Sequence, residues 1–600
     1  MWRLARYLKP FLLPLVVMLA FLVGQTLANL SLPDYMAKIV NDGIIGNDNG
    51  VVLSTGVRML IVALLGGLCT IGASFLASRV ATGFTRDLRS DTFEKAESFS
   101  PLEFSRFSTA SLITRCTNDM QQIQMALYML LRLAIMAPLM GIGAVIKAYD
   151  LAPSMTWIMA VAVGVLLVVI VVLLTLAMPR FTRLQQLVDR LNLVTRERLT
   201  GMRVIRSFNR ESWERDRFER TNRDLMDVNV VVNRIMGVMQ PVMILLLNFT
   251  SIAVIWVGSH KIDQDELLIG DMLAFMQYAM QVIFAFLMLS MIAVLVPRAA
   301  VSARRVVEVL DTEPGIEDPI RPIEAPHRGG AVEFRNVSFT YPMADTPALV
   351  DISFTAHSGQ TTAIVGPTGS GKSTLLGLIE RFYDPTEGAV LVDGIDVREQ
   401  EIADLRSRIG YVPQKAVLFS GTIDSNIRFG KENASSREVV QAATTAQANE
   451  FIDRFDDGFE HPISQGGSNV SGGQRQRLSI ARAIVREPEI YIFDDSFSAL
   501  DFRTDADLRA ALAKETQNST VLIVAQRVNT IRHAEQIIVL DAGRIVCHGT
   551  HDELLETCSV YQEIAASQLS EDELAREASN GRTPSPNGAT NGSGNGRTHA

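Results

Sequence analysis

Six long apolar runs constrain this chain of 600 residues more than any other feature. A helix crosses a bilayer core with about 20 mostly apolar residues, and nothing inside that core can satisfy an unpaired backbone group. Runs of suitable length lie at Phe11–Leu32, Val57–Ser78, Leu127–Ala148, Met155–Met178, Met239–Gly258 and Met272–Val296. They predict six membrane-spanning helices in the first half of the chain. Met1–Pro10 is short and basic, but the run after it is long enough to span, so it reads as the lead into a first span and not as a cleaved signal. The chain is 48% hydrophobic and only 20% charged, an excess concentrated in this half. The second half reads as a soluble α/β protein, so at least two domains are expected.

Basic residues set the orientation. Arg180–Arg234 holds thirteen Arg, and Arg79–Arg115 is also rich in basic residues. Asn41–Gly50 has no Lys or Arg, and Ser259–Glu266 has only Lys261. The positive-inside rule therefore puts the N-terminus and the two long basic loops in the cytoplasm. Leu184, Leu187, Leu191 and Val194 recur in steps of three and four, one face of a helix running on from the membrane. Breaks at Ser98–Ser108 and Gly201–Asn209 leave room for short transverse helices. The second is docked rather than lipid-facing, because Val204, Ile205, Phe208 and Trp213 are interspersed among its arginines. Gln25, Gln240, Asn248, Gln277 and Gln281 fall within spans, where polar side chains serve chiefly as helix–helix glue.

Residues 1–310 thus form a predicted transmembrane domain, ending in a helical stretch at Arg298–Leu310. Residues 311–330 carry Pro314, Pro319, Pro322, Pro326 and paired glycines, which is linker chemistry. A predicted α/β domain fills 331–568, with strands at Val332–Phe334, Thr361–Val365 and Glu489–Phe493. Residues 569–600 end in a Gly/Asn/Ser/Pro/Thr-rich run with almost no apolar residues, a predicted disordered tail.

In this second domain an apolar strand runs into Gly366-Pro367-Thr368-Gly369-Ser370-Gly371-Lys372-Ser373-Thr374 and then an apolar helix. That is a P-loop in its required context. Its glycines let backbone N–H groups converge on phosphate oxygens, and the helix start adds its positive dipole end. Lys372 reaches the β- and γ-phosphates of ATP and Ser373 offers a hydroxyl to Mg²⁺. Glu489–Phe493 ends at Asp494-Asp495, and an Asp at a strand end beside a P-loop holds Mg²⁺ directly or through water. Between them, Ser471-Gly472-Gly473-Gln474 opens another apolar helix, a second phosphate-binding N-terminus.

The P-loop, the Ser-Gly-Gly-Gln run and the Asp-Asp strand end together resemble the ABC ATPase family, and six spans with long cytoplasmic loops resemble its exporter type. The resemblance covers nearly the whole chain. It implies that Tyr341, in Phe339-Thr-Tyr-Pro342, stacks on adenine. It implies that Gln414, in Tyr411-Val-Pro-Gln414, touches Mg²⁺ and water and faces the membrane domain. Ser471–Gln474 match the signature motif, with Val470 where Leu is commoner, and Ser498-Ala-Leu-Asp501 match the loop crossing between two ATP-binding domains. The implied working unit is a dimer in which one chain's signature covers the ATP on the other's P-loop.

Two positions depart from that pattern. Where the family has a Glu as catalytic base, this chain has Asp495, whose carboxylate is set back by one methylene. A general base works within about 2.6–3.2 Å of its proton, and such a retreat can remove most of a contribution of about 10²–10⁴-fold. Where the family has His against the γ-phosphate, this chain has Gln526, which donates a hydrogen bond but carries no charge. The pattern resembles the degenerate-site subunit of a heterodimeric exporter. It implies tight binding and slow hydrolysis at the chain's own site, with an intact signature completing the site of a partner half-transporter. The implied setting is the plasma (inner) membrane, with amphipathic drugs or lipids as cargo. An ATP-gated channel or regulator, a homodimeric pump and an importer of lipophiles are the alternatives. The net charge of -9 argues against a nucleic-acid partner. Cys69, Cys116, Cys547 and Cys558 lack metal-site spacing and are expected to be free thiols.

Overall fold

The computed structural model describes residues 2–342 and 344–568. The tail expected to be disordered, at 569–600, lies outside the described residues. The chain divides into two compact units, Met1–Ser98 with Phe107–Glu313, and Phe99–Arg106 with Pro314 onward.

The first unit is helical. After a 3-10 segment at Trp2–Phe11 come α1 (Leu12–Lys38), α2 (Asn49–Glu97), α3 (Pro101–Phe107), α4 (Thr109–Thr114), α5 (Met120–Leu151), α6 (Thr156–Thr200), α7 (Met202–Ser207), α8 (Glu211–Asp263) and α9 (Ile269–Asp311). Among the described residues six helices are long and apolar enough to cross a membrane, one for each predicted span. The helices run well past the apolar windows: α2, α6 and α8 have 49, 45 and 53 residues. At 1.5 Å per residue the longest is about 80 Å, against a hydrocarbon core of about 30 Å. On α6 the expected face is inward, with Leu187 and Val194 buried and Leu184 and Leu191 half-buried. The helix expected at Arg298–Leu310 is the far end of α9, which continues through Pro297.

The core of this unit buries large side chains such as Leu22, Leu166 and Phe275 together with small ones. Small residues sit where helices meet (Ala73, Ala77, Ala144 and Ala148 are buried), while Leu64, Leu68 and Val168 point outward. Lipid tails are as apolar as Leu, so close approach at small residues adds to what holds such helices together. Gln25 is buried and the Gln281 amide donates to the Asn29 carbonyl at 3.3 Å. Gln277 is half-buried, and Gln240 and Asn248 are exposed, so the glue role fits only part of the expected set. Short helices fill both predicted breaks: most of α3 belongs to the second unit, and α7 buries none of its residues.

The second unit contains β1 (Val332–Phe339), β2 (Leu349–Ala356), β3 (Thr361–Val365), α10 (Lys372–Ile379), β4 (Glu387–Val392), β5 (Ile395–Asp396), α11 (Ile402–Ser407), β6 (Ile409–Val412), β7 (Gly421–Thr422), α12 (Ile423–Arg428), α13 (Ser436–Thr445) and α14 (Asn449–Ile452). It continues with β8 (Pro462–Ile463), α15 (Gly472–Ile484), β9 (Ile490–Asp494), α16 (Phe502–Glu515), β10 (Thr520–Val524), α17 (Val528–Ile531), β11 (Gln536–Asp541), β12 (Arg544–Gly549), α18 (His551–Thr557) and α19 (Ser559–Ala566). One sheet has the order β12-β11-β3-β10-β9-β6, parallel except for β12, and a second, antiparallel sheet has the order β2-β1-β4-β5. The parallel strands are apolar at consecutive positions because both faces are covered. Ala363, Phe493 and Ile523 join one core, and Ile364, Ile492 and Leu522 join the other.

The cysteines correct one expectation. Cys69 and Cys116 are free, but Cys547 on β12 and Cys558 between α18 and α19 form a disulfide with Cα atoms 6.2 Å apart. The chain reverses between them over 11 residues, a fold-back that cysteine spacing does not encode.

Candidate functional site

Strand polarity gathers the site. β3, β6, β9 and β10 are parallel, so the residues after each emerge on the same sheet edge. Register pairs Val524 with Ile364 on one side and Asp494 on the other, and Val412 with Phe493. Gly366 follows β3, Gln414 follows β6, Asp495 follows β9 and Gln526 follows β10. The carboxyl edge of a parallel sheet is where such folds bind ligands.

Gly371 caps α10 with φ +100°, and a Cβ there would lie 2.7 Å from Leu349 Cδ2 and 2.8 Å from the Ala348 carbonyl. Gly369 has φ +85° and open space where its Cβ would stand, so the loop presents bare backbone. Lys372 Nζ donates to the carbonyls of Gly366 at 2.9 Å and Pro367 at 2.8 Å, and to Ser370 Oγ at 3.4 Å. Burial pushes the Lys372 pKa down, while Asp494 and Asp495 pull it up. Asp494 is buried and accepts a hydrogen bond from the Ser373 side chain; burial pushes its carboxyl up, against that bond. Tyr341 hydrogen-bonds Thr374 Oγ1 at 2.9 Å, and its ring packs against Phe339 and Tyr383.

Asp495 is nearly buried and takes φ +47°, a left-handed conformation that Asp tolerates better than most residues. Its Oδ2 accepts from Gln526 Nε2 at 3.0 Å and from Gln414 Nε2 at 3.3 Å. Ser498 Oγ donates to the Asp495 carbonyl at 2.9 Å. Tyr341, Thr368, Gly369, Gly371, Lys372, Ser373, Thr374, Gln414, Asp494, Asp495 and Gln526 line one cavity of about 310 Å³. A bare-backbone cradle, an ammonium, and a hydroxyl–carboxylate pair side by side fit a polyphosphate with a hard divalent cation.

Ser471–Gln474 do not line that cavity. They form the surface start of α15, where Ser471 Oγ accepts from the Gln474 N–H at 3.2 Å and Gln474 Oε1 accepts from the Ser471 N–H at 2.8 Å. This capping box leaves the glycines between outward-facing. Asp501 is also apart: it caps α16, accepting from the Thr504 N–H at 3.0 Å, which holds its carboxyl below the usual range.

Two neighbours of the site carry no sequence signal. Glu380 ends α10, nearly buried, and burial pushes its carboxyl up to about 8 against the pull of Arg406. Gln568 follows α19, and its amide donates to the Gln526 carbonyl at 2.7 Å.

Comparison with known proteins covers most of the chain. The family described as "ABC transporter transmembrane region" matches residues 15–286, and "ABC transporter" matches residues 349–498. An uncharacterized ABC transporter ATP-binding protein of Mycobacterium tuberculosis is 43% identical over 94% of this chain and 97% of its own length. An ATP-dependent lipid A-core flippase of Syntrophus aciditrophicus is 31% identical over 96% and 95%. Among solved structures, a bacterial Atm1-family ABC exporter with ATP bound superposes with a TM-score of 0.78 at 27% identity, covering 94% of this chain and 99% of that one.

Proposed function

Taking as premise that the chain belongs to the ABC transporter family, as an exporter-type, ATP-hydrolysing member, we propose that it is the degenerate-site half of a heterodimeric exporter of amphipathic drugs or lipids. The observation that carries this reading is the clamp on Asp495. The residue at the base position is one methylene short, and its Oδ2 already accepts from the amides of Gln526 and Gln414. Both amides occupy the carboxylate oxygen that would otherwise have to face an attacking water. Gln526 supplies neither charge nor a proton at neutral pH.

Backbone N–H groups from Gly369 to Lys372 and the Lys372 ammonium would hold the phosphates, with the Tyr341 ring beside the base. Ser373, Asp494 and Gln414 would hold Mg²⁺, which neutralises charge on the phosphate oxygens when bound. Every binding group is retained and only the groups that would cleave are altered. The outward start of α15 supports a role for Ser471–Gln474 against a second half-transporter. In the membrane unit, an apolar crevice of about 340 Å³ between α5 and α9, with Pro138, Gly141, Ile142 and Phe286 in its lining, suits a lipophilic part of a cargo. The arginine-rich loops support an orientation with both loops and the ATP site on the cytoplasmic side of the plasma membrane.

The test is the double reversal Asp495→Glu with Gln526→His, made in the transporter purified with its partner. Hydrolysis at this chain's own site is expected to rise about tenfold or more, part of the span available to a restored base. An unchanged rate and an unchanged split between the two sites would sink the proposal. Full transport by the chain without any second gene product would replace the heterodimer with a homodimer.

A further inference from the structure

We infer that Gln568 is a positioning residue for ATP hydrolysis, gripping from the C-terminal side of the fold the loop that carries Gln526. Its side-chain amide makes two bonds that straddle Arg527. Nε2 donates to the Gln526 carbonyl at 2.7 Å, and Oε1 accepts from the Val528 N–H at 2.9 Å. Val528 is the first residue of α17, and Arg527 at the cap position supplies no side-chain acceptor. Early N–H groups of a helix have no partner inside it, and a residue at the cap normally answers one of them. Here the answer comes from 40 residues away.

The grip has an anchored base. Gln568 lies just beyond α19, whose Tyr561 is fully buried and hydrogen-bonds His551 Nδ1 at 2.7 Å. Cys558, which caps the start of that helix, is bonded to Cys547 on β12. Gln568 thus passes the placement of this hairpin to the backbone of Gln526, whose amide contacts Asp495 Oδ2 at 3.0 Å. A side chain at a reacting centre can be misplaced by a fraction of an ångström when its backbone is loosened, and rates are sensitive on that scale. Because Gln526 belongs to this chain's own ATP site, the effect is read at that site and not in total turnover, so it can be measured whichever of the two sites is faster.

Two variants in the full-length transporter test it. Gln568→Ala removes both bonds; Gln568→Glu keeps an acceptor for the Val528 N–H and loses the donor to Gln526. Amide exchange at Val528 is expected to quicken about tenfold or more in Gln568→Ala and to stay slow in Gln568→Glu. Hydrolysis at this chain's own site, read as ADP formed from labelled ATP trapped on its P-loop, is expected to slow about threefold or more in Gln568→Ala, with ATP affinity there within about twofold, and Gln568→Glu should lie between it and the parent. Unchanged exchange overturns the grip. Faster exchange with an unchanged rate at this chain's own site, or a loss confined to ATP affinity there, overturns the positioning role.

Discussion

Glu380 separates what residue types announce from what the fold imposes. It ends an apolar helix beneath the phosphate loop, and burial raises its carboxyl to about 8, while an unfolded chain would release that proton near about 4.3. The folded state therefore binds more protons across that window. Stability from this group is complete below the lower value and is lost as pH rises through the upper one. Glu380→Gln, which stays neutral, should melt close to the parent near pH 5 and above it near pH 8.5, by thermal unfolding across that range. A difference that does not grow with pH would contradict the account. The P-loop residues are different in kind. Gly369, Gly371, Lys372 and Ser373 are legible because phosphate binding dictates their types and order. Glu380 and Gln568 are not, because what defines them is burial and a partner remote in sequence: Gln568 reaches across 42 residues to Gln526.

Among elements, the start of α15 combines stability and chemistry most closely. Ser471 caps the helix while Gly472 and Gly473 keep its first turn bare. Ser471→Ala should cost about 1 kcal/mol of local helix stability, and in the proposed dimer, where its hydroxyl would also donate to ATP on the partner, it should lower ATP turnover by about tenfold or more. Equal, small effects on melting and turnover would make Ser471 a cap and nothing else. A second element-scale expectation concerns Asp119, at the head of α5, which is buried, accepts from Ser302 Oγ at 2.7 Å and pairs with Arg305 at 3.4 Å. Asp119→Leu should destabilise the membrane unit by about 1–3 kcal/mol, discounted because Arg305 is partly exposed; an unchanged melting curve would argue against this tie to α9. Hydropathy located all six spanning elements, because the bilayer demands one kind of residue over one length. It did not fix the helix ends. Beyond the apolar windows α2, α6 and α8 continue as amphipathic helices, and their ends are set by short breaks such as Gly201 rather than by any change in hydropathy. The Cys547–Cys558 bond was equally hidden, since it depends on the turn from β12 into α18.

For the whole molecule, the account is one of asymmetry. Under the proposed function the chain keeps the groups that would grip ATP and alters the two that would cleave it, while its signature run at the start of α15 is intact. Asp495→Asn should therefore reduce total turnover far less than Ser471→Ala does, since in the proposed heterodimer the first would touch the slow site and the second the partner's site. In an ordinary homodimeric pump the base variant would cost at least as much, commonly about 10²–10⁴-fold. The central claim is that this chain's own site holds ATP without splitting it. The most direct measurement traps the transporter during turnover with labelled ATP, separates the two half-transporters after photocrosslinking the nucleotide, and asks what remains on this chain's P-loop. The account predicts mostly intact ATP on this chain and ADP on its partner; ADP in equal measure on both would contradict it.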